Sequence, residues 1–418
     1  METIRIEGGV PLEGRISVQG SKNAALPIMA AAILQEGVSV LEGCPRISDV
    51  FCMEKILQAL GAETSWEGHT LTLDCRQIRK VQVPAGFAGQ MRSSIMLMGS
   101  MLGRAGELTI AYPGGCTIGA RPINWHLEIL KEMGAVILEE GERLRAVCRK
   151  LKGCRIRLPF PSVGVTENGI LAAVRAEGVT VLQGCAREPE IVHLCRFLQK
   201  MGVAVEGAGT SCIRIEGGGS LQSVRFEIPR DRIAAGTYLY AGAATRGYVE
   251  LEGAPVDEMG AILEVYKKMG GQYTVNGVTL RADSALVRHP LRGIQTAGYP
   301  GFPTDMQSPL LAVLCTVPGR SQICENIFED RYKIVPELEK MGAEIEVCGR
   351  QVCILGGRPL RGVCTAAREL RGGAALALAA LAARGTTAIG GWNFVERGYE
   401  DFPGQIRSLG GKIVREHR

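Results

Sequence analysis

Apolar residues recur along this chain in two helical styles that alternate. In the first, Leu, Ile, Val and Met fall at i, i+3, i+4 and i+7, and the run stops at Leu or Met followed by glycine. This happens six times, at Gly61, Gly134, Gly202, Gly270, Gly342 and Gly410, with spacings of 73, 68, 68, 72 and 68 residues. In the second style the run is Ala- and Leu-rich all round, as in N-A-A-L-P-I-M-A-A-A-I-L-Q-E-G, and it closes at Gly37, Gly106, Gly178, Gly247, Gly319 and Gly385. A helix apolar on every face must be buried. Between the two helices stands a strand-like run such as Val38 to Leu41, Leu108 to Ala111, Val179 to Leu182 or Val249 to Leu251, and another, such as Thr70 to Leu73, follows the second helix. Each unit therefore reads as buried helix, strand, amphipathic helix, strand.

A period near seventy residues is too long for a solenoid, and alternating strands and helices favour crossover units packed as layers. The expected fold class is α/β, with six repeats shared as three in each of two similar lobes. The seam falls at Phe226 to Arg232, where a proline with flanking charges separates the third and fourth copies. The expected domains are 20–229, and 1–19 plus 230–418, with the groove between the lobes as a natural ligand site.

Composition narrows the function classes. With 46% hydrophobic and 22% charged residues over 418 positions, the chain can build sizeable cores. Its net charge of +5, 5% aromatics and lack of any Lys/Arg block argue against nucleic acid and fit small anionic ligands better. No apolar run reaches the ~20 residues of a membrane span, and no apolar leader opens the chain, so a cytoplasmic location is expected. The 14 cysteines include no C-x-x-C pair and the five histidines are scattered, so no metal and no cofactor is expected and the thiols read as reduced and mostly buried.

Charge is concentrated where the buried helices begin. Lys22, Arg92, Arg232 and Arg371 all stand at helix entries, where the macrodipole is already positive. Each costs roughly 0.3–1 kcal/mol there unless an anion compensates, which suggests bound phosphate or carboxylate. Ser162, Thr304 and Asp305 also lie at entries, and N-capping accounts for them as readily as chemistry does. Arg121, Arg331 and Arg397 occupy loops at corresponding corners of their repeats. The segment P-G-G-C-T-I-G-A-R-P at 113–122 puts Cys116 among glycines five residues before Arg121. Glycines let backbone N–H groups approach a ligand, and an exposed thiol beside a cation can move a proton or attack carbon.

Five segments together resemble the UDP-N-acetylglucosamine enolpyruvyl transferase family: S-K-N-A-A-L-P at 21–27, P-G-G-C-T-I-G-A-R-P at 113–122, A-R-E-P-E-I at 186–191, F-P-T-D-M-Q at 302–307 and R-G-Y-E at 397–400. The resemblance implies two inside-out α/β barrels of three βαβ-type repeats, with the active site in the cleft between them. It implies transfer of the enolpyruvyl group of phosphoenolpyruvate to the 3′-hydroxyl of UDP-N-acetylglucosamine with release of phosphate, the first committed step of peptidoglycan synthesis. By the same resemblance Cys116 donates the proton to the methylene carbon, Asp305 is the base at the 3′-hydroxyl, and Lys22 and Arg397 complete the catalytic set. Phosphoenolpyruvate would be held by Lys22, Arg92, Arg121, Arg331, Arg371 and Arg397. The UDP-sugar would meet Asn23, Arg92, Arg121, Pro122, Ile123 and Asn124, together with Trp125, Ser162, Val163, Gly164, Asp305 and Ile327. Glu369, Asp49 and Arg232 take secondary catalytic or structural places. The partners implied are these two small molecules alone, acting on a monomer, with no nucleic acid and no membrane.

Four positions depart from the family pattern. Glu369 stands where aspartate is usual, Asn124 removes a carboxylate from the segment usually read R-P-x-D-L-H, Phe160 replaces a lysine found in some members, and His193 replaces an acidic residue. They bear on nucleotide affinity more than on phosphoenolpyruvate chemistry. Two alternatives accompany the main reading: a non-catalytic UDP-sugar-binding paralogue, supported by Asn124 and Glu369, and enolpyruvyl transfer to another acceptor such as shikimate 3-phosphate. Cys116 and Lys22-Asn23 count against the latter.

Overall fold

The structure, a computed structural model, describes residues 2–114, 119 and 122–417. Six helices carry the all-round apolar runs, Lys22–Ala32, Leu97–Ala105, Val163–Ala173, Arg232–Thr245, Gln307–Thr316 and Leu370–Ala382. Their Ala and Gly positions let helix backbones come close, and nearly every residue of the last is buried. The described residues divide into two compact units, one holding 20–114 and 122–229, the other 2–19 and 230–417. Within each unit the three buried helices pack on one another. The sheets lie outside them, inner positions buried and outer ones wet, as the alternation along Val38–Glu42 and Thr70–Asp74 shows. This inverts the usual α/β order, in which helices cover the sheet.

Among the described residues, five of the six sheets have four strands; the sheet of Glu107–Ala111 has three, with only an isolated bridge from Gln82 at its edge. In the third repeat, Arg155–Arg157 pairs parallel with Gly178–Gln183 across the Val163–Ala173 helix, and Gly178–Gln183 pairs antiparallel with Cys212–Gly217, which forms a hairpin with Ala204–Glu206. The repeat thus holds more strands than the apolar pattern predicts, because the strand after the amphipathic helix is a hairpin and an edge strand precedes the buried helix. Each sheet remains separate, so among the described residues no sheet closes into a barrel; the layered α/β architecture is one of helices enclosed by open sheets.

Chain order and sheet membership part company at three places. Glu13–Ser17 precedes the first buried helix but pairs with Tyr248–Glu252 of the fourth repeat, while Val224–Glu227 precedes the fourth and pairs with Val38–Glu42 of the first. The expected seam at Phe226 therefore begins as a sheet strand, and the crossing comes at Pro229 and Arg230. The N-terminal strand Glu2–Glu7 lies between Thr386–Gly390 and Lys412–His417, completing the sixth sheet.

All six helix-stop glycines have positive φ, from 78° at Gly410 to 114° at Gly61, where a side chain would be strained. The second glycine series behaves differently from expectation. In this series Gly106 directly follows its helix with positive φ; the others lie between two and five residues on, at the entry to the next strand. Gly247 is kept small by close approach, since a Cβ there would sit 2.0 Å from the carbonyl oxygen of Leu12, a residue leading into the exchanged strand.

Candidate active site

The repeated crossover brings helix starts together in each unit. In the unit of 230–417, Asp305 lies in the 3₁₀ turn Thr304–Met306 that leads into the Gln307–Thr316 helix. Its Oδ1 accepts from Arg331 Nη2 at 2.6 Å and its Oδ2 from Arg371 Nη2 at 2.9 Å. Both guanidiniums are buried, with side chains only 2% and 3% exposed, against 27% for Asp305. Burial works against the charge of Arg371, but Asp305, Tyr399 and Asp231 outweigh it and hold the guanidinium well above its ordinary value. Its Cζ lies 5.4 Å from the centroid of the Tyr399 ring, and Tyr399 shares a 2.8 Å hydrogen bond with Thr237 of the Arg232–Thr245 helix. All three helix starts of this unit thus meet around one arginine–carboxylate group.

Two donors of this cluster, Nε of Arg331 and Nη1 of Arg371, are buried with no hydrogen-bond partner among the described residues. Buried donors of this kind are costly to leave unpaired, and an oxyanion is the acceptor they suit. Capping does not explain Thr304 and Asp305. Thr304 donates its hydroxyl to Glu325 at 2.9 Å and neither residue caps the following helix. The cap role falls instead to Asp231, Ser162 and Glu369.

Glu369 accepts from the backbone N–H of Arg371 at 2.8 Å and from that of Gly372, and lies 3.7 Å from Arg331. Both oxygens are engaged by the helix start, which assigns it a structural place among the two the sequence left open. Glu369→Ala should lower stability by about 1 kcal/mol through loss of the cap, read as a lower midpoint in urea unfolding; an unchanged midpoint would remove the cap from the account. Arg232 is buried and lies 5.8 Å from the Tyr299 ring. Arg397 ends the 3₁₀ turn Trp392–Arg397 and is half-buried, and Ile327 is exposed.

In the unit of 20–229, Ser21 caps the first helix by accepting from the Ala24 N–H at 3.3 Å, which leaves Lys22 as its first residue. Lys22 Nζ lies 2.8 Å from Asp49 Oδ2, with both side chains largely buried. Asn23 beside it is half-buried, and Pro27 four residues on has no N–H to offer the Asn23 carbonyl. Arg92 opens the 3₁₀ turn Arg92–Met96, in which Ser94 donates toward the Met91 carbonyl at 2.9 Å. Pro122, Asn124 and Trp125 are exposed and Ile123 is buried at the start of the Asn124–Glu132 helix. Ser162, Val163 and Gly164 open the Val163–Ala173 helix, half-buried, and Phe160 just before them is 52% exposed. His193 is buried on the Pro189–Lys200 helix. Cys116 and Arg121 lie outside the described residues.

Two features escaped the sequence reading. One is Tyr399, hidden within the R-G-Y-E motif. The other is the buried run Thr166-Glu167-Asn168 in an otherwise apolar helix. Thr166 accepts from the Ala186 N–H at 3.1 Å and so anchors the A-R-E-P-E-I segment. Burial, reinforced by Glu190 and Glu188, holds the Glu167 carboxyl well above the usual range. A carboxyl raised on folding stabilises the native state below its unfolded value, near 4.5, and loses that contribution as pH rises toward the folded one. Glu167→Gln should therefore raise the thermal midpoint at pH 8 relative to pH 5, by about 2 °C or more; an equal shift at both values would contradict a protonated buried acid. Among the described residues no group of His, Cys, Asp or Glu is placed to hold a metal ion.

A sequence profile described as EPSP synthase (3-phosphoshikimate 1-carboxyvinyltransferase) matches residues 6–406. The chain is 43% identical over 421 aligned positions, covering all of both chains, to a UDP-N-acetylglucosamine 1-carboxyvinyltransferase of Nitratidesulfovibrio vulgaris (strain DP4). To a protein of the same name from Symbiobacterium thermophilum it is 44% identical over 98% of this chain and 94% of the other. Among solved structures, the enolpyruvyl transferase NikO from Streptomyces tendae superposes with a TM-score of 0.89 at 24% identity, covering 99% and 98% of the two chains. EPSP synthase from Acinetobacter baumannii gives 0.72 at 20% identity over the whole of both. These two structures speak for the fold alone. With a profile matched over nearly its whole length and relatives above 40% identity from end to end, this chain belongs to the enolpyruvyl (1-carboxyvinyl) transferase family.

Proposed function

We propose that this chain transfers the enolpyruvyl group of phosphoenolpyruvate to the 3′-hydroxyl of UDP-N-acetylglucosamine, releasing phosphate, in the first committed step of peptidoglycan synthesis. The observation that carries the reading is the cluster of Asp305, Arg331 and Arg371, a carboxylate flanked by two buried guanidiniums that retain unpaired donors. In this reading Asp305 accepts the proton of the attacking hydroxyl, and the N–H groups of Arg331 and Arg371, with Lys22, Arg92, Arg121 and Arg397, neutralise the carboxylate and phosphate of phosphoenolpyruvate. Cys116 delivers a proton to the methylene carbon, making the adjacent carbon electrophilic enough for the sugar oxygen to add. Loss of a proton and phosphate from the adduct then regenerates the double bond on the new ether. The UDP-sugar is assigned to Asn23, Pro122 to Trp125, Ser162 to Gly164 and Ile327.

The relatives bearing the UDP-N-acetylglucosamine name share 40–44% of their residues with this chain, whereas the EPSP synthase structure shares 20%. That difference favours the sugar nucleotide over shikimate 3-phosphate as acceptor. Retention of Lys22, Asp305, Arg331, Arg371 and Arg397 disfavours a binding-only paralogue. Among the described residues no helix is long and apolar enough to cross a membrane, which suits enzymes of nucleotide-sugar metabolism working in the cytoplasm. No partner chain is needed, since one polypeptide supplies every assigned residue. The test is phosphate release from phosphoenolpyruvate by purified protein. Release that depends on UDP-N-acetylglucosamine supports the proposal; release driven by shikimate 3-phosphate, or none with either acceptor from folded protein, overturns it.

A further inference from the structure

Asn168 has an orientation that the backbone dictates. It is fully buried, and its Oδ1 lies 2.9 Å from the backbone nitrogen of Gly99, in the first turn of the Leu97–Ala105 helix. A backbone N–H can only donate, so the atom facing it is the amide oxygen and the side chain cannot be turned over. Its NH₂ group therefore faces the buried ring of His126, with Nδ2 3.3 Å from Nδ1. An amide NH₂ also only donates. Nδ1 must then accept and carry no proton, which leaves the proton of the neutral imidazole on Nε2. Turning the ring over would set a carbon against the amide and forfeit the bond.

Gly164 makes room for this ring. A Cβ at that position would lie 3.2 Å from His126 Cε1 and 3.5 Å from Nε2, so the imidazole rests against the first turn of the Val163–Ala173 helix. Asn168 and His126 together thus tie the starts of two buried helices to the start of the Asn124–Glu132 helix.

We propose that Asn168 is a positioning residue that locks His126 in the Nε2–H tautomer and thereby shapes the sugar-nucleotide subsite. The inference rests on the reading that segments 122–125 and 162–164 receive the UDP moiety. The ring lies on the Asn124–Glu132 helix directly after the first of these segments and packs against Gly164 of the second, so its orientation sets how the two segments meet.

Asn168→Asp separates positioning from packing. Aspartate keeps an acceptor for the Gly99 N–H at almost unchanged volume, but offers Nδ1 an oxygen where it had a donor, which demands a proton on Nδ1. In ¹⁵N-histidine-labelled full-length protein, His126→Gln identifies the His126 signals among those of the five histidines. The wild type should show a protonated Nε2 and a bare Nδ1, and Asn168→Asp should show a protonated Nδ1. Calorimetric Kd for UDP-N-acetylglucosamine should rise about tenfold in the variant, the scale of one lost or reversed hydrogen bond, with phosphoenolpyruvate binding changed less than threefold. A wild-type His126 protonated on Nδ1 would overturn the lock whatever the protein's activity. A tautomer change with unaltered Kd would overturn the link to the subsite. Failure of the phosphate-release assay would instead strike the functional reading and leave the tautomer result standing. Should Asn168→Asp not fold, Gly164→Ala, which crowds the ring and leaves Asn168 intact, should raise the same Kd; an unchanged value there would overturn the subsite link too.

Discussion

Asp305→Asn should reduce sugar-dependent phosphate release by about 10²–10⁴-fold, the range associated with loss of a positioned general base. The substitution conserves shape and removes charge at the carboxylate that bridges the guanidiniums of Arg331 and Arg371. Its second consequence is structural. Two guanidiniums with side chains 2% and 3% exposed would lose their shared counter-charge, and breaking a buried pair from one side costs about 3–5 kcal/mol. Asp231 and Tyr399 still face Arg371, and Glu369 stands 3.7 Å from Arg331, so the loss should fall at the low end of that range. Initial rates under saturating substrates, with unfolding midpoints for the same preparations, separate the two effects. A variant that keeps more than a tenth of the wild-type rate would remove Asp305 from the base position.

Cys116→Ala should cost a similar factor in turnover, since a removed general acid is worth about 10²–10⁴-fold, and should abolish alkylation by the epoxide fosfomycin, which the family resemblance directs to this thiol. The rest of the chain supplies internal controls. Burial pushes the thiols of Cys75, Cys195 and Cys315 up to about 12 and that of Cys185 up to about 11, so thiolate is scarce at these sites near neutral pH. Most of the described thiols are buried, but Cys212, Cys348 and Cys364 are exposed because they sit on the solvent-facing sides of sheet strands. Iodoacetamide should label those three in wild type and variant alike. Fosfomycin should add mass to one peptide, the one containing Cys116; modification of Cys212, Cys348 or Cys364 instead, or full turnover by the alanine variant, would contradict the assignment.

The repeat was legible because its signals are local. An all-apolar helix, a glycine at a helix stop and a β-branched run each report burial or a backbone angle within a few residues, and six copies in register make the pattern difficult to miss. Cations at positive helix starts were legible for the same reason, and Lys22, Arg92, Arg232 and Arg371 do stand at such starts. Edge strands were not. Glu13–Ser17 and Val224–Glu227 are four or five residues long, and nothing within them says that each pairs in a sheet more than a hundred residues away. Nor does a local pattern distinguish a capping aspartate from a bridging one: Asp231 caps its helix while Asp305 binds two arginines from other segments.

By itself, then, the order of residues determined the α/β class, the sixfold unit, the buried helices with their charged entries, and the family. Tertiary structure alone decided which strands complete which sheets, that Asp305 joins Arg331 to Arg371, that Glu369 closes a helix start, and which way Asn168 faces His126. The division has one physical cause. Periodicity and stop signals arise from short-range sterics and burial, which neighbouring residues encode, whereas hydrogen-bond direction and charge pairing depend on side chains brought together from positions tens to hundreds of residues apart, where only the packed chain sets the distance.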